Sequence, residues 1–176
     1  MANAEHVEIV LKGKYAIRDW RIKNEQIVLV LEDADLTAAS GTDLSDANLI
    51  CASLYGASLY GANLSGGIFT DADLCYAHAS GANLSDAKLS GADLNCSLRG
   101  ADLSDANLSG SDLSFANLAR SDLCNADLSG AYVSATVFAP CYKQFDRFGF
   151  STLPTSQRSN IFKKSGMLWR ASSASA

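Results

Sequence analysis

The sequence predicts an all-β solenoid: a square coil with five residues to a side and twenty to a full turn. Three regularities carry this prediction. A large apolar residue, the centre of each repeat, recurs every five residues at Leu44, Leu49, Leu54, Leu59, Leu64, Phe69, Leu74, Ala79, Leu84, Leu89 and Leu94. After one missing residue the series resumes at Leu98 and runs by fives to Val133 and Phe138, giving twenty repeats. The residue two before each centre is small, most often Ala, and the residue one before is usually Asp or Asn.

A period of five fits neither ordinary element. A helix turns about 100° per residue, so five residues advance an apolar stripe by about 140° and cover no single face. A straight strand alternates, so five residues would flip each centre to the opposite side. A chain that bends once per repeat keeps every centre inside, and four bends of about 90° close the square. Stacked coils then pair backbones at the ordinary strand spacing of about 4.8 Å. Leu fills the middle of each side, and only a small residue fits near the corner. Such a stack is quasi-one-dimensional and needs covering at both ends.

Residues Ala4 to Ile22 read as helix, with Val7, Val10, Leu11, Ile17 and Trp20 at helical spacings and Gly13 placed to split it. Its expected task is to cover the open first coil. Leu31 and Leu36 already keep the five-residue step, but Leu36 to Leu44 is eight residues, so Ala38 to Gly41 is an irregular corner. The residue missing between Leu94 and Leu98 implies a tightened corner. Ala79 is an undersized centre, where a local gap partly filled by Phe69 or a neighbour is expected. After Pro140 the pattern ends. Tyr142, Phe145, Phe148 and Phe150 are placed to lie over the last coil, Ser156 to cap a helix running to about Trp169, and the tail from Ala171 to be disordered. The chain divides into a helical cap (1–26), the coils (27–139) and a C-terminal extension (140–176).

Cys96 and Cys141 fall at small inward positions, and Cys51, Cys75 and Cys124 fall outward on different sides. Reduced thiols are expected, with neither a disulfide ladder nor a zinc spacing. No run approaches the ~20 apolar residues of a membrane span, and no secretory leader is apparent. A cytoplasmic location is the expectation. His6, His78 and the lone Cys75-x-x-His78 do not build a catalytic or metal constellation, and the carboxylates are spread by the repeat rather than gathered in a cleft. Neither enzyme activity nor a cofactor is expected.

Residues 34–138 hold 12 acidic and 3 basic residues, a net charge of −9, whereas 139–176 hold 6 basic and 1 acidic, a net of +5. Sorting by twenty, or by nineteen across the missing residue, places Asp43, Asp46, Asp86, Asp102, Asp105 and Asp122 on one face without Lys or Arg. His78, Arg99 and Arg120 fall on another face without Asp. A third carries Tyr55 and Tyr132 with Asp73, Asp93 and Asp112, and Tyr76 and Phe115 at its corner. Asp and Asn before the centre also suit tight bends, because their side chains bond nearby backbone.

The repeats Ala-Asn-Leu-Ile-Cys, Ala-Ser-Leu-Tyr-Gly and Ala-Asn-Leu-Ser-Gly resemble those of the pentapeptide-repeat family over roughly Leu31 to Phe138, about three-fifths of the chain. That resemblance implies a right-handed quadrilateral β-helix, here of about five coils. An amphipathic helix ending in a Trp-Arg pair, here Trp20-Arg21, also resembles many bacterial members. The family spans unrelated roles. Cyanobacterial members that act in differentiation or signalling are similar in general form. The fluoroquinolone-resistance (Qnr-type) members are acidic rods that bind DNA gyrase as DNA mimics.

Two functions are therefore expected of the surface. One is a protein-binding scaffold using Tyr55, Tyr76, Phe115 and Tyr132 or the six-Asp face. The other is an acidic mimic of DNA that binds gyrase or another DNA-binding protein. Five coils make a rod of about 24 Å, over which duplex DNA carries about 14 charges. Direct nucleic-acid binding is not expected, and the C-terminal extension offers a route to a homodimer.

Overall fold

The computed structural model of the chain describes residues 1–34, 36 and 44–137. The five-residue period becomes four columns of parallel backbone bridges. Asn48 pairs with Ile68, Ser53 with Asp73, Ser58 with His78 and Asn63 with Asn83, so each step of twenty residues returns the chain to its own side of the square. Each pairing is an isolated bridge, not part of a continuous strand, because a bend follows within two residues.

The bends share one mechanism. The centre's C=O accepts a hydrogen bond from the N–H three residues on, as in Ala47 to Leu44 (3.2 Å) and Ala57 to Leu54 (2.9 Å). The third residue of these four has positive φ, for example Asp46 (55°), Gly56 (67°) and Gly61 (64°). That is the type II requirement, which explains Gly, Asp and Asn at this position. The Asp or Asn before the centre adds a second tie. Its Oδ1 accepts from the N–H two residues on, as in Cys75 to Asp73 (2.9 Å), Ser104 to Asp102 (3.0 Å) and Ser114 to Asp112 (2.8 Å). Much of the acidic surface therefore also holds the corners.

Inside, the centres and small residues form one core. Leu54, Leu74, Leu94 and Leu113 are fully buried, as are Ala52, Ala72 and Ala92. Ser111 and Ser121 stand at two inward Ala positions, where each hydroxyl donates to a carbonyl, Leu108 O (2.8 Å) and Leu118 O (2.7 Å). Phe69 finds its room over Gly67, where an added methyl would press on the Phe69 ring and Leu64 O. Ala79 is itself fully buried.

The missing residue shortens one corner and leaves the faces aligned. Cys96 N–H donates to Leu94 O at 2.6 Å, a bond spanning two residues in place of the usual three. Bridges across this corner step by nineteen: His78 with Ser97, Asp93 with Asp112. At the other irregularity Val30 pairs with Ser53, a step of twenty-three. The corner expected at Ala38 to Gly41 lies outside the described residues, as do Cys141, the aromatic run after Pro140 and the helix expected from Ser156.

The N-terminal segment forms two helices, α1 (Ala4–Leu11) and α2 (Lys14–Lys23). Asn3 caps α1 by accepting from Glu5 N–H at 3.0 Å. Gly13, with φ 89°, turns the chain between them. Val10 and Ile17 are buried in the core shared with the coils. The backbone edge of the first coil is met directly. Asn3 N–H donates to Val30 O (3.0 Å), and Val30 N–H donates to His6 Nδ1 (2.9 Å). The His6 ring stands edge-on to Trp20 at 5.0 Å.

Arg21 closes the same end. Its guanidinium donates to Asn48 O (3.2 Å), Ile27 O (3.0 Å) and Ile50 O (2.9 Å). Burial pushes its pKa below the ordinary arginine value, the cost of placing a charge there. Lys has one donor centre and cannot span three carbonyls. Arg21→Lys and Arg21→Ala are expected to destabilise this end by about 2 kcal/mol. Amide exchange at residues 48–51 would report it, as an acceleration of roughly thirtyfold, while amides of the later coils change little.

Candidate functional site

The corner column with positive φ is where the surface departs from what folding needs. Across the four corner columns Gly, Asp and Asn hold most of the positive-φ positions; Cys51, Arg120 and Ala135 are exceptions, and Tyr76 (φ 58°) and Phe115 (φ 63°) are the two aromatics in left-handed backbone. Such a conformation costs of order 1–3 kcal/mol outside glycine. Burial does not offset it, since Tyr76 is 61 % exposed and Phe115 67 % exposed. The tightened corner, Leu94 to Cys96, lies between them in the stack. With its corner residue missing, the column has a notch there. The cavity holds about 270 Å³ and is lined by Tyr76, His78, Asn95, Cys96, Phe115 and Asn117, among others.

Beside the notch runs the bridge column Ser53, Asp73, Asp93, Asp112 and Tyr132. Asp73, Asp93 and Asp112 are therefore stacked one coil apart. Asp93 accepts Asn95 N–H (3.1 Å) and Asp112 accepts Ser114 N–H (2.8 Å), which ties both carboxylates toward this corner. Desolvation, then the hydrogen bond to Asp93 and the charges of Asp93, Asp73 and Asp112, push the Cys75 thiol up to about 11. Ligand atoms of Asp73, Cys75 and Asp93 lie within 4.8 Å of one another.

The sequence-predicted aromatic set is only partly brought together. Tyr55 and Tyr76 meet edge to face with centroids 5.3 Å apart. Desolvation, then Tyr76 and Cys75, push the Tyr55 phenol above its ordinary value. Tyr76 and Phe115 share the notch. Tyr132 does not line it; it stands in the bridge column opposite Asp112.

The acidic face is also modified. Asp43 lies outside the described residues. Asn83, Asp102 and Asp122 stack as bridge partners, and Asp105 accepts from Asn125 Nδ2 at 3.0 Å. Asp46 and Asp86 are exposed at corners. The expectation of a face without bases is corrected at one end. α2 brings Lys14 to it, with Nζ 2.9 Å from Ser45 Oγ and 4.0 Å from Asp46 Oδ2. Sequence spacing missed this because the lysine belongs to another element.

A second concavity was not foreseen. It holds about 550 Å³ beside α2 and is lined by Lys14, Tyr15, Arg18, Arg21, Glu25 and Asp46 among others. Lys14 Nζ and the Arg18 guanidinium lie 5.6 and 5.4 Å from the centre of the Tyr15 ring. No helix of the described residues is long and apolar enough to cross a membrane.

These features define a repeat solenoid whose corners carry much of its surface variation. The chain belongs to the pentapeptide-repeat family: the family model for pentapeptide repeats matches residues 30–66, 68–105 and 95–130, with 8 copies. Among solved structures it is similar to HetL, a pentapeptide repeat protein involved in heterocyst differentiation regulation in the cyanobacterium Nostoc sp. strain PCC 7120. The identity is 34 % over 62 % of this chain and 59 % of HetL, with a TM-score of 0.52. The match thus spans less than two thirds of HetL's length. A pentapeptide repeat protein of the Arabidopsis thaliana thylakoid lumen is 31 % identical over 69 % of this chain and 84 % of that one, with a TM-score of 0.49. QnrB1, a plasmid-mediated fluoroquinolone resistance protein, is 17 % identical over 85 % of this chain and 78 % of its own, with a TM-score of 0.26. No curated protein sequence matches the chain.

Glycine at either aromatic corner relieves the left-handed strain and loses little burial, against a larger entropy loss on folding. Tyr76→Gly and Phe115→Gly are therefore expected to leave stability unchanged or raise it by up to about 1 kcal/mol, read as the thermal midpoint. A fall of more than about 1 kcal/mol would mean that the rings serve folding.

The cysteines offer a separate check on the inward register. Burial pushes Cys96 up to about 12, and its side chain is buried. Cys51 is exposed. Among the described cysteines, iodoacetamide at pH 8 is expected to label Cys51 first, Cys124 and Cys75 more slowly, and Cys96 only on unfolding. Peptide mass mapping over time would show the order.

Proposed function

We propose that the chain is a non-enzymatic docking scaffold that holds a protein partner against the aromatic corner. The observation that carries this reading is the pair Tyr76 and Phe115, exposed and in strained backbone, on a fold that favours Gly, Asn or Asp there. Exposed aromatics at a rigid surface are the usual anchors of protein interfaces. Rigidity comes from the stacked coils, so docking costs little ordering of the scaffold. Tyr55 extends the surface from one side. Tyr132 lies farther along the same face and is proposed as a peripheral contact.

The same proposal takes residues 27–139 as a right-handed quadrilateral β-helix of about five coils. It takes 1–26 as the cap and 140–176 as an extension with separate duties, including a route to a homodimer. It places the chain in the cytoplasm, where the four described thiols, all free of disulfides, stay reduced. HetL is involved in regulating differentiation, which supports a regulatory partner.

A second reading, mimicry of DNA toward gyrase or another DNA-binding protein, rests on charge. Asp86 and Asp105 are exposed at corners of one face, in a rod with a net charge of −9. The two readings separate by salt and by substitution. Asp102 and Asp122 accept backbone N–H groups, so changing them to Asn keeps an acceptor and removes charge. A mimic should lose its partner on Asp102→Asn, Asp105→Asn and Asp122→Asn, and on moving from about 0.05 M to about 0.5 M salt. A scaffold using the aromatic corner should hold its partner through that change and release it on Phe115→Gly or Tyr76→Gly. The measurement is capture from host lysate with the full chain and these variants, with bound proteins identified by mass spectrometry. A partner indifferent to both aromatic variants would remove the scaffold reading.

A further inference from the structure

The geometry points to one kind of occupant for the notch between Tyr76 and Phe115: an arginine side chain on an extended segment of the partner protein. This inference rests on the docking reading above and gives it a chemistry.

The notch is a shallow, open cavity with an aromatic residue at each end and a column of carboxylates beside it. Tyr76 and Phe115 occupy the same corner column two coils apart, roughly 9.6 Å at the ordinary coil spacing. A planar group stacks about 3.5–4.0 Å from a ring face, and Tyr76 and Phe115 are both exposed at the cavity. The missing corner residue vacates the position between them, because the backbone closes there through the Cys96 to Leu94 bond. Its lining also includes Asn95, Asn117 and His78. Asp73, Asp93 and Asp112 stand in the next column, with one oxygen of each bonded to backbone. The bases of the adjoining face are Arg99 and Arg120, and neither lines the notch.

Each property selects against an alternative. Two aromatic walls favour a flat group, and three neighbouring carboxylates favour a cation. The guanidinium is both: it stacks on aromatic faces and donates in its own plane to carboxylate and amide oxygens. An ammonium satisfies the charge and not the walls. A nucleotide base satisfies the walls, but its phosphates meet the carboxylates and the net charge of −9. A neutral aromatic side chain leaves the carboxylates unused. The electrostatic complement of this surface is therefore an arginine-bearing segment.

The test uses the full chain and a blocked peptide, acetyl-Gly-Arg-Gly-Gly-amide, followed by ring-proton NMR shifts of Tyr76 and Phe115. Controls replace Arg by Lys or by the uncharged isostere citrulline. The expected result is saturable binding with both rings shifted, at least threefold weaker with Lys and at least tenfold weaker with citrulline. Phe115→Gly should weaken the arginine peptide at least tenfold. So should a glycine inserted between Asn95 and Cys96, which restores the regular corner and fills the notch; its circular dichroism must match the parent. Asp93→Asn with Asp112→Asn should weaken it at least fivefold.

Equal binding to the parent and to Phe115→Gly would overturn the inference, since the peptide would then be attracted by overall charge alone. Binding that appears only after Arg147, Arg158 and Arg170 are changed to Ser would also overturn it, by showing that the chain's own basic residues fill the notch. The inference can also fail while the docking reading stands. A lysate partner that is lost on Phe115→Gly, while the arginine peptide never binds, leaves the corner as the docking site and removes arginine as its ligand.

Discussion

The corner is the constraint on which the rest of this structure depends. A square coil closes only if the chain turns once every five residues, and each turn puts one residue at positive φ. Two devices make that affordable. Gly, Asp or Asn takes the left-handed position, and an Asp or Asn before the centre ties its Oδ1 to the N–H beyond the bend. The core follows from the corner rather than the reverse. Once the bends are fixed, Leu at the centre and Ala two before it fill most sides, with exceptions such as Phe69 over Gly67 matched in size.

This ordering separates acidity that folds the chain from acidity that is free to act. Asp73, Asp93, Asp102, Asp112, Asp122 and Asp127 each use a carboxylate oxygen on the backbone. Asn does the same at positions 48, 63, 83, 107 and 117. Either residue satisfies the turn, so charge at this position is a choice the fold leaves open. Clustering of charge is then more informative than its presence. The unbroken run Asp73, Asp93 and Asp112 stands beside the aromatic corner, where the choice went the same way in three successive coils.

The architecture was legible in the sequence because the period is rigid: a single slip of register would have exposed every centre. The nineteen-residue step was legible for the same reason, as one residue missing between Leu94 and Leu98. Its consequence was not. A deletion reads as a shortened corner, and only the stacked coils show that it leaves a notch with Tyr76 on one side and Phe115 on the other. Nor could spacing show that Lys14 reaches Asp46. Arg21 was visible as half of a Trp-Arg pair, but its three carbonyl partners, two of them more than twenty-five residues away in sequence, were not. Each of these contacts joins positions that no period relates.

A solenoid of identical coils has no unique place on its surface, because every repeat offers what its neighbours offer. Specific recognition therefore requires the repeat to be broken. This chain breaks it at Cys96 without disturbing the core, since Cys96 still fills the small inward position and the bridges on both sides stay in column. Two residues the turn disfavours stand on either side of that break. A neutral accident would show one irregularity, in backbone length or in residue type. Here the shortened corner, the left-handed aromatics and the run of carboxylates coincide within three coils. That coincidence is what the proposed docking surface rests on.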